Sequence, residues 1–512
     1  MFRTNDRNYL YIVILYAVLT ISYLISEYII TGHQFGVPLD DSWIHFRFAE
    51  NFAHGHFFEY NIGEPTPGTT SPFWVIVLSI PFLISHKLIL PFSYIIGSLF
   101  FLLTGIEVYR LSNKLGFEKK YSLLISVLTL LAGRLAWSSL SGMEITLFCY
   151  LTVIILKTHL NELEQNKINI VTGLLLGLAA ITRPETYLFA GLYYILSIIL
   201  LRKVLKQNLL HLVLSVLVFA AIVIPYPVFS YSITGKFLPS TFQGQNAGFN
   251  FLPHFVYLVE TGKLFFKENF IILILWIISS VYFTVNLVKR KADKKFILIY
   301  LWVILLPVIS SFIAPNWRHH GRYLIPLIPF INIISIDILQ KAVTVLEGKG
   351  TKFYHLAGKA MPYILVLFSL NYTVIFALTL GWNVDNINNQ QVKIANWINA
   401  NLPDETTFGM NDIGAITFIT KKKTIDMAGL VTPEGFKLQK MNFEEGSKSL
   451  LRLLKQNNVN YIIVYPDWFE YLMEHYSKAF EQVYSAKLEK NTICGGIEMF
   501  VYKINWDRIN LK

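Results

Sequence analysis

The chain alternates between long apolar blocks and short polar connections. A helix needs about 20 apolar residues to cross the hydrocarbon core of a bilayer, and in lipid it satisfies its own backbone hydrogen bonds. The blocks reach this length repeatedly, so the pattern predicts a polytopic α-helical membrane protein with about 11 transmembrane helices. The predicted spans are residues 9–30, 88–108, 121–136, 143–158, 168–182, 186–201, 209–231, 269–288, 296–314, 322–340 and 361–381.

The composition supports this class of protein. Of the 512 residues, 54% are hydrophobic and 15% are charged, whereas about a quarter of the residues of a soluble domain are charged. The first block is too long for the core of a signal peptide and lacks a small-residue cleavage site, so we predict an uncleaved span. Two cysteines, Cys149 and Cys494, argue against a disulfide framework or a cysteine metal cluster.

Basic residues are unevenly distributed over the connections between the predicted spans. Every second connection carries a cluster, for example Arg202, Lys203 and Lys206, and the intervening connections carry few. The positive-inside rule therefore places the N-terminus in the cytoplasm and the C-terminal tail outside. This distribution explains the net charge of +11 without a nucleic-acid partner. It also requires that the apolar stretch 71–85 does not cross, which predicts a juxtamembrane or re-entrant helix in a first outer loop of residues 31–87.

The tail differs in pattern from the rest of the chain. After residue 381 the apolar blocks end, and short β-rich runs at 424–429, 460–466 and 497–504 alternate with helical patterns such as residues 390–403. This alternation is typical of a small α/β domain. We therefore predict a transmembrane domain of residues 1–381 followed by an extracytoplasmic α/β domain of residues 382–512.

Four polar clusters interrupt the apolar pattern, and the predicted topology puts all of them on the outer face. They are 39-LDDSWIHFRFAEN-51, 141-SGME-144, 182-TRPE-185 and 316-NWRHHGRYLIP-326. Carboxylates and arginines at membrane depth are costly and usually face a polar cavity. Their common side therefore indicates a functional site.

The first cluster begins with two adjacent carboxylates, Asp40 and Asp41. Such a pair raises the pKa of one member, which suits a general base for a sugar hydroxyl. A solvated loop, or an N-cap for a helix beginning near Ser42, explains the pair equally simply. Arg47 lies seven residues after Asp40, about two helical turns, and so shares its face.

The last cluster breaks the charge rule, because Arg318 and Arg322 lie on the outer side together with two histidines. A phosphate or pyrophosphate ligand explains them, since the arginine fork matches phosphate oxygens. His45, His54 and His56 have no recognised zinc-ligand spacing. We find no phosphate-binding glycine loop and no cytoplasmic domain that could bind a nucleotide, so the substrate itself should carry the energy source.

The order of these motifs resembles the GT-C class of integral-membrane glycosyltransferases, which use polyprenyl-phosphate sugars. Within that class it is most similar to the bacterial arabinofuranosyl- and mannosyltransferase-like group. The matching segments are 40-DDSWIHFRFAENFAHGHFFEYNIGEPTPGTTSPFW-74, 140-LSGMEITLF-148, 181-ITRPETYLF-189 and 320-HGRYLIPLIP-329. The likeness covers about residues 1–340, and the tail is similar to the outer domain that these enzymes often carry.

The resemblance implies an inverting transfer of a sugar from a polyprenyl-phosphate donor to a glycan, lipid or protein acceptor of the cell envelope, on the outer face of the cytoplasmic membrane. It implies Asp40 as the base and Asp41 as its orienting partner or as a ligand to a divalent cation, the one candidate cofactor. The residues expected at the donor phosphate are Arg318, Arg322, Arg183 and Arg47, the first two being preferred. Those expected to contact sugar or acceptor, or to shape the cavity, are Glu144, Glu185, His319 and His320.

Two other functions remain open. A transporter or flippase of lipid-linked saccharides should show internal repeats and charges near mid-span, and the sequence shows no obvious repeat. A non-catalytic scaffold that presents the tail would leave the acidic pair dispensable. The Asp-Asp pair also departs from the Asp-Glu pair usual in protein mannosyltransferases, which argues against a protein acceptor.

Overall fold

The computed structural model describes residues 6–237, 251–313, 315, 317–347, 352–438 and 441–511. The helices that precede the tail are α1 (Asn8–Ile30), α2 (Asp40–Ala53), α3 (Pro72–Ser79), α4 (Ile89–Leu115), α5 (Lys119–Leu130), α6 (Gly133–Ser139), α7 (Ile145–Gln165), α8 (Ile170–Ala180), α9 (Thr186–Leu200), α10 (Leu205–Val223), α11 (Pro225–Thr234), α12 (Phe251–Val288), α13 (Ile297–Ile313), α14 (Ile328–Glu347) and α15 (Lys352–Ile387). A short antiparallel hairpin of β1 (Glu59–Asn61) and β2 (Glu64–Pro65) lies in the first outer loop.

The described residues contain seven helices that are long and apolar enough to cross a membrane. An eighth results if α5 and α6, which meet at a bend of 61°, form one broken span. These eight coincide with eight of the predicted spans and confirm a multi-pass membrane protein. The predicted spans 143–158, 168–182 and 186–201 are also helices, α7, α8 and α9. However, α8 and α9 have only 11 and 15 residues, and the last turns of α7 are polar, so the predicted count of about 11 exceeds what length and composition support.

The stretch predicted not to cross the membrane forms α3 and a further turn, Ile80–Leu83. Together these cover 12 residues. A helix of that length measures about 18 Å, well below the ~30 Å of the hydrocarbon core. The helix packs against α2, and the indole N–H of Trp74 donates to the carbonyl of Gly142 at 2.9 Å. It therefore braces the loop of residues 31–87, and its length is too short for a full span.

Helices α8 and α10 approach each other at Gly173. A Cβ atom built on this residue would lie 2.1 Å from the backbone oxygen of Ser215. Small residues permit such backbone-to-backbone packing, which is a principal source of helix association in membranes.

Replacing Gly173 with Ala is expected to destabilise the protein, because the added methyl group forces α8 and α10 apart. Overpacking of this kind costs about 1–3 kcal/mol and should lower the thermal midpoint in detergent. Gly191→Ala in α9 is the matched control, since a Cβ atom there meets nothing within 4 Å. Its midpoint should stay constant or rise, because Ala favours a helix by about 1 kcal/mol over Gly. Equal midpoints would contradict the close approach.

The tail forms an α/β domain, as predicted. Its elements are α16 (Lys393–Asn401), β3 (Phe408–Met410), α17 (Gly414–Thr420), β4 (Thr424–Asp426), α18 (Pro433–Leu438), α19 (Phe443–Gln456), β5 (Tyr461–Val464), α20 (Glu470–His475), β6 (Phe480–Lys487) and β7 (Glu498–Ile504). The strand order is β4-β3-β5-β7-β6, with the first three strands parallel and the last two antiparallel to their neighbours. The three predicted β-rich runs correspond to β4, β5 and β7.

A continuous helical path joins the membrane part to the tail. Helix α15 passes the predicted domain boundary, ends at Ile387 and continues through the π-helical turn Asn388–Val392 into α16. The tail also docks on the first outer loop through the hairpin. The hydroxyl of Tyr60 donates to the carbonyl of Ile413 at 2.7 Å. Side-chain atoms of Asn61 bond the backbone of Thr424 at 2.9 and 3.1 Å. This docking places the start of α2 against the tail.

Candidate active site

The first and last polar clusters meet through an ion pair between Asp41 and Arg322, which are 281 residues apart in the chain. Asp41 lies in the first turn of α2, and Arg322 follows the short turn Arg318–Gly321 and precedes the N-terminal end of α14. The guanidinium Nη1 of Arg322 donates to Oδ2 of Asp41. The carboxylate side chain is 35% exposed and the guanidinium side chain 12%. A charged pair thus lies where solvent still reaches one partner.

Arg322 controls the charge of Asp41. Burial raises the pKa of this carboxyl, but the opposing charges of Arg322 and His319 outweigh burial and lower the pKa to about 2. Asp41 therefore stays ionised throughout the physiological pH range. Weakening its contact with Arg322 would make it a stronger base.

A second set of charges surrounds Arg183. Its Nη1 donates to Oε1 of Glu144 at 2.8 Å, and its Nε and Nη2 donate to Oε1 of Glu185 at 3.1 and 2.6 Å. The guanidinium side chain is only 3% exposed. Because two carboxylates already occupy this fork, Arg183 is less available to a phosphate than Arg322 is.

Tyr323 connects the two sets of charges. The guanidinium carbons of Arg183 and Arg322 lie 5.1 and 5.3 Å from the centroid of its ring. Both distances are within the range of cation–π attraction. The structure thus brings the clusters at residues 141–144, 182–185 and 322–323 together beside Asp41.

Helix α2 directs its polar residues to two different faces. Asp41 and His45, four residues apart, face the charges described above, and Nε2 of His45 lies 3.6 Å from Oε2 of Glu144. Burial lowers the pKa of His45 despite the nearby carboxylates, so the ring is neutral at pH 7. Asp40 and Arg47 face the tail and the hairpin instead.

Both carboxylate oxygens of Asp40 accept hydrogen bonds from the tail. The donors are the backbone N–H groups of Gly414, at 2.7 Å, and Ala415, at 2.8 Å. Burial and the neighbouring carboxyl of Asp412 raise the pKa of Asp40, and the two N–H donors oppose this rise. The contacts make Asp40 an anchor between α2 and α17. Asp40 does not cap its own helix, because α2 begins at Asp40 and no side chain of the described residues caps it.

Arg47 braces the first outer loop. Its Nε donates to the carbonyl of Tyr60 at 3.1 Å, its Nη1 lies 3.4 Å from Glu50, and the residue is 5% exposed. The structure therefore does not bring it together with Arg322. The side chain of Arg318, the other preferred phosphate ligand, lies outside the described residues.

The two histidines of the last cluster separate. His319 is close enough to Asp41 to lower the pKa of that carboxyl. The ring of His320 turns away, and its Nε2 lies 2.9 Å from Oδ1 of Asn383 in α15. The backbone oxygen of His320 accepts from Nη1 of Arg134 at 3.3 Å, and Arg134 itself forms a buried ion pair with Glu268.

The charges present do not fit a divalent cation. Both oxygens of Asp40 already accept N–H groups, and Oδ2 of Asp41 accepts from Arg322. Throughout the described ranges no group of three or more His, Cys, Asp or Glu side chains is arranged to hold a metal ion.

Several residues of this region were not singled out from the sequence. Tyr323 lies inside the 320–329 segment, and Arg134 could have been noticed as a lone charge in an apolar stretch. Asp412 and Gly414 come from the tail, where no sequence signal connects them to Asp40. Asn383 is one of several amides at the end of a long apolar helix, and nothing in the pattern distinguishes it.

Comparison with known proteins supports the fold and leaves the tail unassigned. A family model described as a domain of unknown function, DUF8728, matches residues 385–502. A comparison with curated proteins finds no match. Among solved structures, ArnT from Cupriavidus metallidurans bound to undecaprenyl phosphate is similar, with 13% identity and a TM-score of 0.59 over 96% of this chain and 98% of that chain. The apo oligosaccharyltransferase of Archaeoglobus fulgidus has 12% identity and a TM-score of 0.59 over 98% of this chain and 75% of that chain.

These similarities lie at low identity and concern the fold. Both neighbours are GT-C glycosyltransferases. The chain thus has a GT-C-like fold, which confirms the fold that the motifs predicted.

Proposed function

We propose that the protein is an inverting glycosyltransferase that moves a sugar from a polyprenyl-phosphate donor to an acceptor hydroxyl at the outer face of the cytoplasmic membrane. The observation that carries this proposal is the partly exposed Asp41–Arg322 pair, which combines a carboxylate and a phosphate-binding group. A GT-C-like fold and the undecaprenyl phosphate bound to ArnT support the donor class. The distribution of basic residues supports a cytoplasmic N-terminus and an extracytoplasmic tail.

We assign the base to Asp41 and not to Asp40, which was the expectation from the sequence. Asp40 uses both oxygens to bind the tail, whereas Asp41 is partly exposed and keeps one oxygen away from Arg322. In the reaction, Asp41 accepts the proton of the acceptor hydroxyl while the oxygen of that hydroxyl attacks the anomeric carbon of the donor sugar. The bond from that carbon to the phosphate oxygen breaks, and the polyprenyl phosphate leaves with the electron pair. Attack opposite the phosphate inverts the anomeric centre.

Arg322 is the proposed ligand of the donor phosphate. A guanidinium fork can bind two anions, and charge-assisted bonds to the phosphate stabilise the charge that develops on the leaving group. When Arg322 also binds the phosphate, it neutralises the negative charge of Asp41 less. The pKa of Asp41 then rises from its low value, so donor binding makes the base stronger.

We assign the donor sugar to the cluster of His45, Glu144 and Glu185. Three buried atoms of this cluster, Nδ1 of His45 and the Oε2 atoms of the two glutamates, have no hydrogen-bond partner within the described residues. A buried polar atom without a partner costs about 1–3 kcal/mol, so three such atoms in one region favour a ligand that supplies hydroxyl groups. The acceptor is a cell-envelope glycan, lipid or protein.

The proposal predicts consumption of one donor on one side of the membrane. Right-side-out and inverted vesicles containing the protein are incubated with a panel of labelled polyprenyl-phosphate sugars and a cell-envelope extract as acceptor. We expect one donor to be consumed and its label to appear in product, in right-side-out vesicles only. Vesicles with Asp41→Asn protein are the control. Consumption only in inverted vesicles would contradict the topology, and consumption of no donor would contradict the transferase.

A further inference from the structure

The tail domain is bonded to the chain next to each member of the Asp41–Arg322 pair, at Asp40 and, through Asn383, at the turn before Arg322. On the first side it binds the residue next to Asp41, through the two N–H groups that Asp40 accepts. The approach is close, because a Cβ atom on Gly414 would lie 2.0 Å from the backbone oxygen of Asp40. The position of α17 therefore fixes the first turn of α2, and with it the direction of Asp41.

On the second side, Arg322 follows a turn with an unfavourable backbone. His319, His320 and Gly321 have φ values of 50°, 60° and 65°, so three successive residues adopt the left-handed conformation. Side chains other than glycine pay about 1–2 kcal/mol for it. Contacts from outside the turn must hold this geometry, and His320 provides them through its ring and its backbone oxygen.

The ring contact of His320 depends on the orientation of the Asn383 amide. The amide oxygen accepts from the indole N–H of Trp137 at 3.1 Å and faces Nε2 of His320 at 2.9 Å, so this ring nitrogen carries the proton. The amide NH₂ donates to Oγ1 of Thr492 in the tail at 2.9 Å. This bond distinguishes the two ends of the amide and keeps its oxygen towards His320.

Thr492 is itself held in place. Its backbone N–H and its hydroxyl both bond Oδ1 of Asn386, at 2.6 and 2.9 Å. The amide NH₂ of Asn386 in turn donates to the carbonyl of Lys490 at 2.8 Å. The tail loop around Thr492 is thus fixed to the outer part of α15, one turn from Asn383.

We propose that the tail domain positions the reacting groups, with Gly414 and Ala415 setting Asp41 and Thr492 setting Arg322. This inference rests on the proposed function, because it takes Arg322 as the phosphate ligand and Asp41 as the base. Gly414, Ala415 and Thr492 are positioning residues that touch no substrate. The domain of unknown function that matches residues 385–502 thereby acquires a role in the geometry of the site.

The first test separates Thr492 from its neighbours with three variants. Thr492→Val removes the acceptor for Asn383 together with the hydroxyl that donates to Asn386, Thr492→Ser retains both, and Thr406→Val removes a buried tail hydroxyl that donates to the carbonyl of Pro403 in its own loop. Two readouts are used: hydrogen–deuterium exchange of a peptide covering residues 317–324, and the affinity for undecaprenyl phosphate. For Thr492→Val we expect faster exchange and an affinity about 3- to 10-fold weaker, the effect of losing the hydrogen bond that orients the Asn383 amide. The other two variants should match the wild type.

The second test concerns the α2 side. Gly414→Ala should lower kcat more than tenfold with little change in the affinity for undecaprenyl phosphate, because Asp41 moves and the turn before Arg322 does not. Gly191→Ala is the matched control and should behave like the wild type. Rates are expressed per folded molecule, so that a loss of stability alone leaves kcat unchanged.

The outcomes separate this inference from the proposed function. If the wild type does not bind undecaprenyl phosphate, the proposed donor class is wrong, and the exchange of residues 317–324 alone decides the positioning role. The other case is that the wild type binds undecaprenyl phosphate and Arg322→Ala does not. If Thr492→Val then has the same exchange rate and the same affinity as the wild type, the inference is overturned. If Gly414→Ala retained the kcat of the wild type, the inference would be overturned for the α2 side.

Discussion

Replacing Asp41 with Asn is expected to reduce kcat by about 10²–10⁴-fold, the usual contribution of a general base. The amide has the same shape but cannot take the proton of the acceptor hydroxyl. Affinity for undecaprenyl phosphate should be retained or become tighter, because Arg322 loses the carboxylate that competes with the phosphate. The measurement is steady-state transfer with the donor identified from the panel, combined with lipid binding to the purified protein.

Asp40→Asn is the matched control for this prediction. Its side chain can still accept one of the two N–H groups of the tail, but its NH₂ group faces the other donor. We expect a lower thermal midpoint and a smaller loss of kcat than for Asp41→Asn. The opposite ranking, with Asp40→Asn inactive and Asp41→Asn active, would restore Asp40 as the base.

Replacing Arg322 with Ala is expected to weaken the binding of undecaprenyl phosphate and to lower kcat/KM by about 10²-fold or more. Each hydrogen bond to a charged group contributes about 1.5–3 kcal/mol, and a guanidinium fork can form two with the phosphate. Arg322→Lys should recover part of the loss, because it keeps the charge but loses the fork. Arg110→Ala, whose guanidinium pairs with Glu107 in α4, is the control and should bind the lipid normally.

The same variant should change the pH dependence of transfer. Transfer requires ionised Asp41, whose pKa of about 2 depends on the charge of Arg322. Without that charge, the effect of burial is opposed less, so the pKa of Asp41 rises. As the pH is lowered, Arg322→Ala should therefore lose its remaining activity at a higher pH than the wild type. If Arg322→Ala and the wild type lost activity at the same acidic pH, Arg322 would not control the pKa of Asp41.

The membrane part could be predicted largely from the sequence, because the length of an apolar block and the alternation of basic connections have direct physical causes. The same alternation placed Asp41, Glu144, Arg183 and Arg322 on one side before any contact was known. The predicted spans that length does not support are those where a block is short. Helices α8 and α9 are apolar and regular, but neither reaches the length of a bilayer core.

The assignment of roles within the site was harder to predict. Successive residues of a helix point about 100° apart, so Asp40 and Asp41 face different elements although they are adjacent in the chain. The prediction that Asp40 and Arg47 share a face is consistent with their contacts, and it places Arg47 towards the hairpin and away from Arg322. Only the docked tail shows which aspartate remains accessible. Strand β3 escaped prediction because its central residue is Gly409, a residue type that is depleted in strands.

The shared helical path and the docked hairpin limit how the tail can be studied in isolation. A fragment covering residues 385–502 would start inside a helix and would lose Trp43, Phe46 and Phe82, whose rings pack around Phe418 at centroid distances of 5.4, 6.0 and 6.2 Å. The apolar surface around Phe418 would then be in water, where it favours aggregation. A family defined by the tail sequence alone therefore describes part of a folding unit, and its members are best sought together with the membrane segment that precedes them.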